Sequence, residues 1–151
     1  MELTQLTEAS TGARILIVAS GAVDDRLAEV LAGEPQDVQI VVVAPALTSR
    51  LNYWSSDDRR SRQAAQNVID CVLAELAALD YAARGQVGDA DPLQAVADAL
   101  CVFPAEKVIV ASHLEARPNW LARDLVLRIR AGFQVEVVDI ATNPRPAQVA
   151  A

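Results

Sequence analysis

Three apolar runs with no polar interruption constrain the fold of this chain more than any other feature. They are Ile15-Leu16-Ile17-Val18-Ala19, Ile40-Val41-Val42-Val43-Ala44 and Val108-Ile109-Val110-Ala111. A strand with one wet face alternates apolar with polar residues. A short, continuous, β-branched run is instead the pattern of a strand covered on both faces, as in a parallel sheet with helices above and below it. Turn-formers bound the runs, with Ser20-Gly21 after the first and Pro45 after the second.

The intervening segments have helical periodicity. Asp24 or Asp25 caps a first helix with Leu27, Val30 and Leu31 on its inner side, and Gly33 followed by Pro35 ends it. From Asp58 to Leu79 the apolar positions Ala65, Val68, Ile69, Val72, Leu73 and Leu76 recur at helical spacing. Asp91 starts a third helix with Pro92 at its first position and Gln94 placed to close a capping box, and its stripe is Leu93, Val96, Ala97 and Leu100. The fourth helix, about Trp120 to Ala131, turns Leu121, Leu125, Val126 and Ile129 inward and Arg123, Asp124, Arg128 and Arg130 toward water. Tyr81–Val87, interrupted by Gly85, suits a sheet edge, and Gln134–Ile140 is the last strand. The order βαβαβαβαβ with right-handed crossovers predicts an α/β fold: an open, doubly wound, five-stranded parallel sheet of order 3-2-1-4-5 with helices on both faces.

The 151 residues make one domain's length, expected over 13–140. Residues 1–12 read as a polar leader, and 141–151, with Pro144 and Pro146, as a flexible tail. Twenty acidic against 13 basic residues give a formal net charge of −7, which argues against a nucleic-acid partner because phosphate backbones need a basic stripe. Met1–Gly12 lacks the basic and apolar regions of a signal peptide, and no apolar run approaches the ~18 residues of a membrane span, so the expected location is cytoplasmic. Cys71 and Cys101, without C-x-x-C spacing, are expected to be two reduced, small apolar residues.

In an open sheet of this order, ligands bind beyond the carboxyl ends of the strands at the switch point, here between strands one and four. That places Ser20, Gly21, Ser112 and His113 in a crevice, with the loops after strands two and four bringing Arg50, Asn52, Tyr53 and Trp54 toward Arg117, Asn119 and Trp120. Leu47–Arg60 is longer than the usual βα loop of about 2–6 residues. Its aromatics either cover the helix entrance or form a lid over a ligand. Gly88 permits close backbone approach in the turn Val87-Gly88-Asp89-Ala90-Asp91-Pro92, although two carboxylates there repel an anion. Asn119 is a natural N-cap and, with Arg117, can hold a small anion. His113 is the sole histidine and has no evident acidic orienter. Neighbouring residues of an extended strand also point to opposite sides, which disfavours a Ser112–His113 catalytic pair. One histidine and two separated thiols offer no metal set.

With the five-strand order, the Val87-Gly88-Asp89 turn leading into an amphipathic helix, and Val108-Ile109-Val110-Ala111-Ser112-His113, the chain resembles the universal stress protein family over about residues 14–140. The resemblance implies an adenine-nucleotide α-hydrolase-like fold, a cytoplasmic stress-response role and a homodimer. Nucleotide-binding members carry an Asp just after the first strand, where this chain has Val18-Ala19-Ser20-Gly21. They also carry a glycine pair after strand four and a later Gly-Ser, where Ala111, Leu114 and the Asn119-Trp120 region stand here. Side chains at those positions obstruct the approach of backbone amides to phosphates, so no cofactor, ATP included, is expected.

The expectation is therefore a non-enzymatic regulator or sensor of a small anionic or nucleotide ligand, with no nucleic-acid or membrane partner. The alternative is an ATP- or AMP-binding protein or nucleotide-dependent enzyme of the same superfamily. The homodimer is expected through the last strand, whose Val135, Val137 and Val138 would otherwise lie on an uncovered edge.

Overall fold

The structure, a computed structural model, describes residues 13–20, 25–35, 37–46, 58–89, 91–113 and 119–142; for 25, 58, 61, 112–113, 119–124 and 141–142 the description is of the backbone. The strands are β1 (Arg14–Ala19), β2 (Gln39–Pro45), β3 (Ala83–Gly88), β4 (Lys107–His113) and β5 (Glu136–Thr142). Helices α1 (Asp25–Leu31), α2 (Asp58–Ala78), α3 (Pro92–Val102) and α4 (Asn119–Gly132) alternate with them. All strand pairs are parallel and their order is β3-β2-β1-β4-β5, as the apolar runs predict. Of the loop expected over 47–60, residues 58–60 are the start of α2, while 47–57, Gly21, Arg117, the leader (1–12) and most of the tail (143–151) lie outside the described residues.

Two cores separated by the sheet follow from the period of two along each strand. Ile15, Ile17 and Ala19 of β1 join Ile40, Val42 and Ala44 of β2 beneath α1 and α2, where Leu27, Leu31, Ile69, Val72 and Leu76 are buried. Leu16 and Val18 join Val41, Val43, Val108 and Val110 beneath α3 and α4, with Ala95, Val96, Ala99, Val126 and Ile129. The stripe of α3 is rotated from the expected one: Ala95, Val96 and Ala99 are buried, while Leu93 and Leu100 are only partly so. Close packing on β3 causes this. A Cβ added at Gly88 would lie 2.7 Å from the Ala95 Cβ and 2.8 Å from Val43 Cγ2, so only glycine lets α3 sit so near. Gly85 does the same on the other face, where an added Cβ would clash with Ile69 Cγ2 of α2.

Several local expectations need correction. Tyr81 precedes β3 instead of starting it; its buried hydroxyl donates to the carbonyls of Leu31 (2.7 Å) and Glu34 (3.1 Å). The end of α1 is therefore satisfied from a distance, and no described glycine has positive φ, so Gly33 is not a left-handed cap. Among the described residues the left-handed one is Asp80, φ 67, which ends α2 with Tyr81 N bonded to Leu76 O and Asp80 N to Ala77 O, the Schellman pattern. Ala141 and Thr142 belong to β5 and not to a tail, because β4 runs on to pair with them through Ser112 and His113. Arg130 does not merely face water: its guanidinium donates to Val137 O at 3.2 Å. Cys71 and Cys101 are both free thiols, and both are exposed. Among the described residues no helix is long and apolar enough to cross a membrane.

Beside the Tyr81 contact, Lys107 at the start of β4 donates to Glu34 at 2.9 Å, with both side chains mostly buried. The hydrogen bond to Glu34 holds the ammonium above its ordinary value of 10.5; partial burial opposes this, and the Glu34 and Glu136 charges reinforce it. A group with a raised folded-state pKa contributes stability that is fully present below its unfolded value and is lost as pH rises through the folded one. Lys107→Met is thus expected to lower stability by about 1 kcal/mol in urea unfolding at pH 7, with the gap from wild type closing above pH 10.5. An equal gap at both pH values would mean that packing of the lysine stem, not its charge, is responsible.

Candidate functional site

The switch point lies between β1 and β4, where Ala19 is the register partner of Ala111. One residue further the ladder continues, since Ser20 N donates to Ala111 O at 3.1 Å. Ser20 is half-buried, and the backbone of 112–113 stays in the sheet, paired with 141–142. The structure thus brings Ser20, Ser112 and His113 to adjacent strand ends at the predicted crevice. Gly88 is on β3, two strands from β1 and so roughly 10 Å away. Asn119 is the first helical residue of α4. Gly21, Arg50 and Arg117 lie outside the described residues.

Gly88 has a packing role that accounts for it without a ligand. Its Cα rests against Ala95 and Val43, and its carbonyl accepts Ala46 N at 3.1 Å, extending the β2–β3 ladder past Pro45. The turn after it also contains internal hydrogen bonds. Asp89 Oδ1 accepts Asp91 N (2.9 Å), Asp91 Oδ1 accepts Leu93 N (3.0 Å), and Asp91 O accepts Ala95 N (2.9 Å). Pro92 brings no N–H. Of the five positions 91–95 at this helix start, four therefore have their N–H engaged or lack one, and two carboxylates stand in front of it.

Gln94 does not close the expected capping box; its amide donates to Asp98 at 2.8 Å. Asp89 takes the place of Gln94 by accepting the N-cap amide from the N-terminal side. Reasoning from the sequence missed this partner, although an aspartate two residues before another backbone amide is the signature of an Asx-turn. Among the described residues no group of three His, Cys, Asp or Glu side chains could hold a metal ion.

This arrangement ranks two substitutions. Asp91→Ala is expected to cost about 1 kcal/mol in chemical denaturation, the usual loss for an N-cap, and Gln94→Ala less than about 0.5 kcal/mol. The opposite ranking would show that Gln94 caps the helix in solution.

No family model and no curated protein sequence matches this chain. Among solved structures it is similar to the crystal structure of a universal stress protein family protein from Arabidopsis thaliana with AMP bound. The alignment covers 89% of this chain and 94% of that one, with a TM-score of 0.54 and 8% sequence identity. An identity so low speaks to architecture alone. The five-stranded 3-2-1-4-5 sheet of this chain is thus the fold seen in the universal stress protein family.

Proposed function

We propose that this chain is a non-enzymatic, cytoplasmic stress-response regulator of the universal stress type, a small-ligand sensor that works as a homodimer. The observation that carries the reading is that, among the described residues, one backbone donor at the switch point and one at the start of α3 already have internal acceptors. Ser20 N is engaged by Ala111 O and Leu93 N by Asp91, so these amides are not available to a phosphate. The sequence adds side chains where phosphate-binding relatives have glycine, and it lacks an acidic residue directly after β1. A crevice of this kind suits a ligand held by few polar contacts better than a triphosphate.

A nucleotide-binding role, or nucleotide-dependent catalysis, is the second reading, and one observation favours it. The Arabidopsis structure that shares the fold has AMP bound. Thermal unfolding with ATP, ADP and AMP separates the two, because a ligand at ~100 times its dissociation constant adds about 2.7 kcal/mol of stability. ATP is expected to leave the unfolding temperature unchanged; tight ATP binding by calorimetry would replace the first reading with the second.

The homodimer reading rests on the place of β5 at the edge of the sheet, where Arg130 takes the Val137 carbonyl. Glu136 N donates to Glu106 O, which turns the backbone of Glu136 toward β4, and the alternation of a parallel ladder then turns Val137 and Asp139 outward. Val137 cannot report on pairing by its side chain, because that side chain is 7% exposed and belongs to the core under α4. Proline is tolerated on an edge strand where its missing N–H would face outward. Asp139→Pro is expected to shift the protein toward monomer in light scattering with its helical content intact, while Asp139→Ala stays dimeric. A wild-type protein that is monomeric at high micromolar concentration would end this part of the proposal.

A further inference from the structure

At the end of the sheet opposite the switch point, a hollow of about 460 Å³ opens between the amino-terminal ends of β2 and β3 and the carboxyl end of α3. Its volume falls within the range of small-molecule sites. Val41 and Phe103, both buried in the core under α3, form an apolar floor. Asp37, Gln39 and Arg84 stand around it. Neither Asp37 nor Arg84 has a side-chain hydrogen bond or ion pair with any described residue.

The register explains why two opposite charges can share one hollow without pairing. Arg84 is the partner of Val41, four residues beyond Asp37. At about 3.3 Å per residue their backbones are separated by roughly 10 Å or more, with the apolar floor between them. One positive and one negative group at opposite ends of an apolar strip match a molecule of the reverse pattern.

We propose that this hollow binds an ω-amino acid-type zwitterion, a carboxylate and an amine joined by a short apolar chain. Arg84 takes the carboxylate through its planar fork of donors, and Asp37 takes the ammonium. The methylene chain lies along Val41 and Phe103. A molecule with a single charged end leaves the other charge without a partner. This site is independent of the switch-point crevice, which lies at the carboxyl ends of the strands.

The test uses 6-aminohexanoate as the probe, with hexanoate and hexylamine as the one-charge comparisons, followed by amide chemical shifts of the full chain in NMR. The expected result is saturable shifts confined to Val38–Val41 and Ala82–Arg84, with a dissociation constant on the order of 1 mM. Hexanoate and hexylamine are expected to bind about tenfold more weakly, the equivalent of one charge-assisted contact. Arg84→Met and Asp37→Asn should each weaken the 6-aminohexanoate response about tenfold while leaving thermal unfolding unchanged, as both side chains are exposed. Absence of saturable shifts at 20-fold the expected constant would overturn the proposal. So would equal binding of hexanoate, unchanged binding by both variants, or shifts centred on Ser20 and Gly88.

Discussion

The position of β1 is the constraint on which the rest of this structure depends. The strand lies between β2 and β4, so its backbone groups are shared with parallel neighbours on both sides. Its side chains are buried on both faces from Ile15 to Ala19. A strand so placed has no tolerance for a polar residue in its middle, and its continuous apolar composition follows from its position. The same strand marks the reversal of strand order. One chain crosses back from β3 at the edge to β4 beside β1, which places α1 and α2 on one face and α3 and α4 on the other. Fold and crevice therefore have a common origin.

At the edge the controlling term changes from burial to distance of approach. β3 is largely exposed, with Arg84, Gly85 and Gln86 open to water, and it offers little apolar area of its own. It is held because two helices come unusually close to it from opposite sides. Gly85 admits Ile69, and Gly88 admits Ala95. Gained dispersion contacts compensate for the missing side chains, which is why a strand with poor propensity persists at this place.

The contrast accounts for what could be read from the sequence. Strand order, helix positions and the face of α2 rest on long, periodic burial patterns, and these survive without knowledge of tertiary contacts. The helical reading from Asp58 to Leu79 ends within one residue of α2, and Ala65, Ile69, Val72 and Leu76 are buried as the spacing requires. The face of α3 was not legible, since its rotation is decided by Gly88 and the small Ala95. Tyr81 begins the edge strand expected over 81–87, yet it lies before β3. Its hydroxyl in fact serves carbonyls nearly fifty residues earlier, a partner that no local pattern announces. At the candidate site, the juxtaposition of Ser20 with Ser112 and His113 follows from topology and was legible. The Asp89–Asp91–Leu93 relay was not, because a capping box and an Asx-turn compete for the same amide and only geometry decides between them.

That relay bears on function through a simple competition. A helix start or strand end binds an anion when its N–H groups have no internal acceptor, because the ligand then replaces water and not protein. Here the acceptors are built in: Asp89 and Asp91 serve α3, and Ala111 O serves Ser20. A phosphate arriving at either place must displace an existing bond, and at α3 it must also approach two carboxylates, so its electrostatic gain is offset before any contact is made. The opposite end of the sheet has the inverse arrangement. There Lys107 and Glu34 satisfy each other, whereas Asp37 and Arg84 are separated by an apolar floor and have no partner among the described residues. Charges that are exposed and unpaired cost little to bring to a ligand, because no internal bond has to be broken first. On this reasoning the two ends of the sheet differ less in shape than in which polar groups the fold has already used.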